Sequence, residues 1–273
     1  MMIVRLFCPK CAHAVLNALV DYVEIDVPLP VSTLKDDGVY EVVCGRGHTS
    51  IVKLLNLKFE LLFEMGLNAL VDGYGREAVS SFAAALERFY EFYWRVAMRH
   101  FSVPVEVVDC AWKSLSRQSE RQLGAYISAS LLLERALPRV LSPNKEVEFR
   151  NEVIHKRYIP SIEQATDFGD VVMILINGAL TNLRLVAPQA LKETYESLLP
   201  KNLESTKADE ITGAVNILNA VDVMHPPKPC DGRSGTISDQ FARILSEREP
   251  KKLALLSKEE MKRRSPNSIK EQP

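Results

Sequence analysis

The two motifs Cys8-Pro9-Lys10-Cys11 and Cys44-Gly45-Arg46-Gly47-His48 constrain the start of this chain more than any other feature. Together they offer three sulfurs and one imidazole nitrogen, the donor set that a closed, tetrahedral structural zinc accepts. Gly45 and Gly47 suit a knuckle that must wrap tightly around an ion, because a residue without Cβ tolerates positive φ and close approach. The segment that carries the motifs is too short to bury much core, so a metal clip fits where packing alone falls short. Two alternatives stand beside this reading. His13 lies two residues after Cys11 and competes as fourth ligand, and the C-x-x-C pair is also compatible with a redox or incidental role on an ordinary β element.

Up to residue 56 the chain reads as short strands: residues 22–27 alternate apolar and polar, residues 39–43 follow the turn signal Asp36-Asp37-Gly38, and residues 49–55 make a third. Two knuckles separated by strands resemble a zinc ribbon. From Leu57 the period becomes helical. Phe59, Leu62, Phe63, Leu67 and Leu70 recur at three- and four-residue spacing until Asp72-Gly73-Tyr74-Gly75 stops the pattern. A second helix follows over residues 76–99. Others are expected over 105–115, 120–136, 145–158, 170–186, 189–199 and 208–224, with Pro104, Pro138, Pro143, Pro160 and Pro188 at their breaks or first turns. Beyond His225 the chain turns Pro-rich and then becomes mostly Lys, Arg, Glu and Ser, the composition of a segment without a packed core. The fold expected is thus mainly α: a small β zinc ribbon over residues 1–56, a helical bundle over 57–225 and a polar, disordered tail over 226–273. A tetratricopeptide-like stack needs about three copies of a repeat of roughly 34 residues, and no second copy is present.

Charge sets a limit on partners. With 34 Lys+Arg against 35 Asp+Glu the net charge is -1, which excludes coating duplex nucleic acid by bulk attraction but leaves room for a local basic site. No run reaches the ~18 consecutive apolar residues of a membrane span, and the longest is interrupted at Asn177. The first seven residues lead into Cys8 without a small-residue cleavage pattern, and five cysteines do not form the even, dense set of a secreted disulfide domain. A cytoplasmic, unprocessed protein with no membrane partner is expected.

The hexad Arg150-Asn151-Glu152-Val153-Ile154-His155 carries the chemistry. On a helix Asn151 and His155 share a face, whereas Arg150 lies roughly 140° around the axis from His155, so its long side chain must lean to reach a common site. Such a pair suits RNA. An imidazole of ordinary pKa takes the proton from a 2′-hydroxyl or gives one to the leaving 5′-oxygen, while a guanidinium forks onto phosphate oxygens. Asn151 can orient the imidazole or touch the phosphate, and Lys156 and Arg157 can track the backbone as point charges. Arg followed at this loose spacing by His is expected about once by chance in such a chain, and Arg95 to His100 also matches. Only Arg150 is followed at once by Asn.

With these residues the chain resembles the HEPN superfamily, small helical domains many of which are metal-independent RNases of toxin–antitoxin, abortive-infection and CRISPR-associated systems. The resemblance spans roughly residues 57–200. It rests on the opening hairpin with its Gly-Tyr turn and the face Ala78, Phe82, Phe89, and on Arg150-Asn151-x3-His155. It implies a homodimer whose paired helices form one cleft, in which Arg150, Asn151 and His155 cut RNA to 2′,3′-cyclic phosphate ends, with Lys156 and Arg157 binding the substrate. It also implies a role in defence or growth arrest, with an antitoxin or other regulatory protein as a further partner. The structural zinc at Cys8, Cys11, Cys44 and His48 stands outside that resemblance.

Plainer readings cover the same residues. Glu146 and Arg150, and Glu152 and Lys156, stand four apart in the favourable order for ion pairs on a solvated helix face. On that view the chain is a non-catalytic zinc-ribbon and helical adaptor that binds protein or nucleic acid. Glu87, Arg88 and Glu91 line the same cleft or form a polar face. Trp94 and Trp112 are expected in the core, Cys110 as a buried thiol and Cys230 as a loop thiol.

Overall fold

The computed structural model describes residues 2–16, 26–30, 34–200, 212–215, 220–228 and 235–248. The chain divides into two compact units, the smaller drawn from residues 2–55 and 200–217, the larger from 56–199 and 218–246. It is mainly helical, with a small β portion at its N-terminal end.

In the smaller unit β1 (Ile3–Phe7) runs antiparallel to β2 (Asp26–Pro30), with Ile3 opposite Pro30 and Phe7 opposite Asp26. Of the strand expected over 22–27, residues 26 and 27 belong to β2, and residues 22–25 lie outside the described ones. β3 (Val39–Val43) and β4 (Thr49–Leu54) form an antiparallel hairpin closed by the second cysteine motif. Their alternation turns Tyr40, Val42, Ser50, Val52 and Leu54 inward.

Between β1 and β2 lies α1 (Pro9–Leu16), where the sequence suggested only strands and a knuckle. The reason is local. Pro9 occupies the first helical turn, where its missing N–H costs nothing, and the Cys8 sulfur accepts the Cys11 N–H at 3.5 Å in the manner of an N-cap. A second correction concerns the helix expected over 208–224. Its residues 212–215 form β5 (Thr212–Val215), parallel to β4 with Thr212 opposite Ile51 and Val215 opposite Leu54. Residues 220–225 are turns and bends, and the others before them lie outside the described residues.

The larger unit contains α2 (Lys58–Val71), α3 (Gly75–His100), α4 (Val105–Leu115), α5 (Ser119–Glu134), α6 (Glu148–His155), α7 (Ile162–Val186), α8 (Pro188–Leu198) and most of α9 (Ile237–Arg248). α3 is central and packs against α2, α5, α6, α7 and α8. The fully buried Phe82 ring lies between two glycines from different helices: a Cβ added to Gly66 of α2 would come within 2.5 Å of it, and one added to Gly169 of α7 within 2.7 Å. Helices can close on an aromatic ring at this distance only where the facing residue lacks a side chain. Phe59, Phe89, Tyr93 and Tyr126 continue the core through edge-on ring contacts, and Trp94 packs with Trp112 at 5.4 Å between centroids, both buried.

α7 starts eight residues before the apolar run suggested. Ser161 accepts the Gln164 N–H at 3.1 Å while Gln164 accepts that of Ser161 at 2.9 Å, a capping box legible in Ser161-x-x-Gln164. By length and composition α7 is apolar enough to cross a membrane, and its Val172, Ile176, Leu180 and Leu183 are spent on the bundle core. The polar tail expected from 226 is interrupted by α9, which Thr236 and Asp239 cap reciprocally. Ile237 and Ile244 bury its inner face, and Arg243 meets Glu64 at 3.0 Å with both side chains nearly buried. Residues 249–273 lie outside the described ones.

Two acidic residues on the inner face of α2 thus hold late segments of the chain. Glu64 takes Arg243, and Glu60 accepts the N–H of its own helix start, Leu57, at 2.7 Å and that of Val223 at 2.8 Å. Burial, together with the nearby Asp222 charge, pushes the Glu60 carboxyl up to about 8. Arg184 reinforces the same crossing by donating to the carbonyls of Asp222 and Val223. Cys110, expected to be buried, is exposed on α4, because Val108 and Trp112 take the inward positions of that short helix.

Candidate functional site

The metal-ligating candidates come from four pieces of the smaller unit. Cys8 follows the end of β1, Cys11 stands in the first turn of α1, and Cys44 and His48 bracket the turn between β3 and β4. In that turn the Gly47 N–H reaches the Cys44 carbonyl at 2.8 Å and the Cys44 N–H reaches the His48 carbonyl at 3.1 Å. Gly47 has φ +76, the left-handed region that suits glycine. The sequence therefore builds the second knuckle as read, whereas the first is a strand-to-helix junction.

The four side chains converge. Cys11 Sγ lies 3.7 Å from Cys44 Sγ and 3.2 Å from His48 Nδ1, Cys8 Sγ lies 3.8 Å from His48 Nδ1, and all four ligand atoms fall within 4.8 Å of one another. Sulfurs arranged tetrahedrally at ~2.3 Å from an ion stand about 3.8 Å apart, so the spacing fits a single cation at the centre. The three cysteines are buried and His48 is half-buried, and these four protein groups could bind a metal. His13 is exposed and outside the group, which settles the choice of fourth donor in favour of His48.

Burial, then contact with the other two thiols, pushes the Cys11 thiol up to about 12. Burial also raises Cys44, but the N–H groups of Arg46 and His48 aimed at its sulfur outweigh this and the net direction is down. Packed sulfurs that cannot all ionise alone, with backbone donors already turned toward one, are the electrostatics of a site completed by a positive ion. Ser50 adds a hydroxyl 3.9 Å from Cys8 Sγ, a weak outer contact that the sequence did not single out.

The second candidate lies at α6 in the larger unit. A π-helical turn, Pro143–Val147, precedes it, so the helix expected over 145–158 is regular only over Glu148–His155. Glu146 is used to hold the Ser142 N–H at 2.9 Å and approaches Lys145, which leaves it out of the ion pair expected with Arg150. Arg150 turns to α3 instead. One arm of its guanidinium donates to the Glu87 carboxylate, the other to Asn151 Oδ1 at 3.1 Å. Its side chain is 17% exposed, so the pair is partly shielded from water and stronger than a surface ion pair.

His155 closes α6 and is exposed, as are Lys156 and Arg157 beyond it. Among the described residues none of the three has a recorded hydrogen bond or carboxylate partner for its side chain. The helix stops there because Arg157 adopts a left-handed φ of +61, and Arg76 of α3 donates to the Val153 carbonyl at 3.3 Å near the same end. The structure therefore joins the Arg150 and Asn151 side chains, with no side-chain hydrogen bond from that pair to His155 among the described residues.

Glu87 is the group the sequence only partly identifies: it stands in the charged trio Glu87, Arg88 and Glu91, of which Glu87 meets Arg150. Arg88 and Glu91 pair with each other, and Glu91 and Asp109 together engage Arg95. The rival Arg95 to His100 spacing is thus committed to two carboxylates.

Comparison with known protein families, curated proteins and solved structures found no match to this chain.

Proposed function

We propose that the helical unit is a metal-independent endoribonuclease of HEPN type, and that the smaller unit holds a structural zinc ion. The observation that carries the first part is the Arg150 guanidinium, bonded to Asn151 and anchored by Glu87, on the same short helix that ends in an exposed His155, Lys156 and Arg157. Glu87 and Asn151 occupy two of the five guanidinium N–H donors, which leaves donors for a phosphate. His155, free of side-chain partners among the described residues, takes the 2′-hydroxyl proton as the oxygen attacks phosphorus, and returns a proton to the departing 5′-oxygen. Lys156 and Arg157 hold neighbouring phosphates. Two copies related by a twofold axis bring one chain's His155 toward the other's Arg150, so the active species is a homodimer. RNA is the substrate, a regulatory protein such as an antitoxin restrains it, and the cytoplasm is its setting.

Zinc follows from the donor chemistry. Three thiolates and an imidazole at tetrahedral spacing favour a borderline-soft divalent ion, and four protein ligands leave no open position for catalysis. Cys8, Cys11, Cys44 and His48 would hold it.

The experiment is incubation of the purified full chain with RNA in buffer free of added divalent ions. Wild type is expected to leave 2′,3′-cyclic phosphate ends, and His155→Ala to lose about 10²-fold or more in rate while keeping its helical circular dichroism. No cleavage by wild type, or equal cleavage by His155→Ala, overturns the reading. A second reading, a non-catalytic adaptor, draws on the Arg150 guanidinium being already engaged by Glu87 and Asn151 with no hydrogen bond to His155. It predicts RNA or protein binding that survives His155→Ala, with no cyclic-phosphate ends.

A further inference from the structure

β5 is the odd member of the smaller unit. After Leu199 the chain supplies Thr212–Val215 to the sheet that carries Cys44 and His48, and the described residues from 220 belong to the helical unit again. Among the described residues its pairing is four residues long and parallel, and the Leu55 N–H donates to the Val215 carbonyl at 2.8 Å. A short parallel edge strand brings little stability from its own ladder. Something else must hold it.

The contact that does so is made by Gly213. It is buried, and a Cβ there would come within 2.6 Å of the Pro9 ring and 3.1 Å of the Phe7 ring, so β5 lies directly on those two side chains. Pro9 stands between Cys8 and Cys11, and Phe7 immediately precedes Cys8. The seat for Gly213 is thus made from the backbone that carries two of the four ligands. Around it the buried cluster consists of the sulfurs of Cys8, Cys11 and Cys44 with Phe7 and Val27 packed against them. Three of the five side chains in this cluster are candidate ligands, so bonds to a central ion would add much of the order beneath Gly213.

We infer that occupancy of the Cys8, Cys11, Cys44 and His48 cluster by a divalent metal controls the capture of β5, so that residues 212–215 are a metal-gated strand. Loading fixes Pro9 and Phe7 and the strand docks. Stripping loosens the seat, β5 leaves, and the outer edge of β4 is uncovered. Gly213 is the positioning residue that couples the two. The inference rests on the metal reading of the cluster.

The test uses the full chain under reducing conditions, stripped of metal and then titrated with Co²⁺. Ligand-field absorption reports on the cluster, and hydrogen exchange reports on residues 51–55 and 212–215. Cobalt is expected to give a tetrahedral thiolate spectrum and to slow exchange at residues 213–215 by about tenfold or more, with α3 unchanged. Gly213→Val, which keeps every ligand, is expected to retain the spectrum and lose the protection, whereas Ala214→Thr at the exposed neighbouring position retains both. A cobalt spectrum with equal protection in stripped and loaded protein overturns the gating, as does a Gly213→Val protein that is protected like wild type. Absence of the spectrum removes the metal reading and the gating with it.

Discussion

The smaller unit buries Val4, Leu6, Tyr40, Val42, Val52 and Leu54 beside a cluster of three sulfurs, while the larger lines its interior with Phe59, Phe63, Phe82, Phe89, Tyr93 and the apolar stripe of α7. One chain thus uses two means of ordering itself. Where apolar area is plentiful, burial at about 25 cal/mol per Å² outweighs the entropy of folding, and the chain can even spend inner positions on Glu60 and Glu64. In the smaller unit, whose strands bury fewer and smaller side chains, an ion held by the four clustered groups would add order through a few ligand atoms. The difference also separates what each unit tolerates. The bundle is vulnerable at close ring contacts, the β unit at single donor atoms.

The sharpest way to break this comparison is to test the cysteine–histidine cluster as a metal site. Stripping metal, or Cys44→Ser, is expected to cost the smaller unit more than ~5 kcal/mol, releasing β5 and loosening the Cys8 to Cys11 junction while β3 and β4 stay paired on their buried Tyr40, Val42, Val52 and Leu54. Helical circular dichroism and the exchange protection of α3 should stay as in wild type. Loss of the helical signal along with the metal would show that the two units do not order themselves separately.

A smaller effect runs the other way. Phe82→Ala empties the space between Gly66 and Gly169 and is expected to cost the helical unit about 3–5 kcal/mol, seen as a lower thermal midpoint. The tetrahedral cobalt spectrum should be unaffected. If the cobalt spectrum weakened in parallel, the independence of the two cores would be lost.

The smallest effect sharpens the contrast through pH. Glu60 has its carboxyl raised to about 8 from 4.5 by burial and the neighbouring Asp222 charge. A carboxyl raised on folding stabilises fully below its unfolded pKa, and that contribution is lost as pH climbs through the folded value. The helical unit should therefore lose stability between about pH 4.5 and 8, with a slope from this group of at most about 1.4 kcal/mol per pH unit. Glu60→Gln should flatten that slope in denaturant titrations at several pH values. Thiolate ligands behave oppositely, because acid protonates them and releases the metal. Mild acid should thus favour the bundle while it weakens the β unit, and a wild-type slope that Glu60→Gln leaves intact would place the titration elsewhere.

Much of the site was legible in the chain because it depends on short-range pattern. C-x-x-C and C-G-x-G-H name their ligands by donor type and turn geometry, and the structure brings those four atoms together without needing His13. The boundaries of α2 and α3 were equally plain, since Asp72-Gly73-Tyr74-Gly75 is a local stop. Less legible was α1, where a cysteine acts as a cap and the alternation rule has nothing to read. The Ser161-x-x-Gln164 and Thr236-x-x-Asp239 boxes were present as signals, but apolar periodicity outweighed them at one and polar composition at the other. Arg150 shows the limit most clearly: spacing offered Glu146 as its partner, yet Glu87, 63 positions away, holds it.

By itself the amino-acid order determined the four clustered donors Cys8, Cys11, Cys44 and His48, the change from alternating to helical period near Leu57, and the residues of the Arg150 to His155 helix. Each is set by the backbone chemistry of a few neighbours. Only the tertiary structure decided that residues 212–215 become a strand, that Glu60 and Glu64 anchor late segments, and that Arg150 is held by α3. Those outcomes join groups far apart along the chain, and their free energy comes from contacts that exist only after distant segments have met.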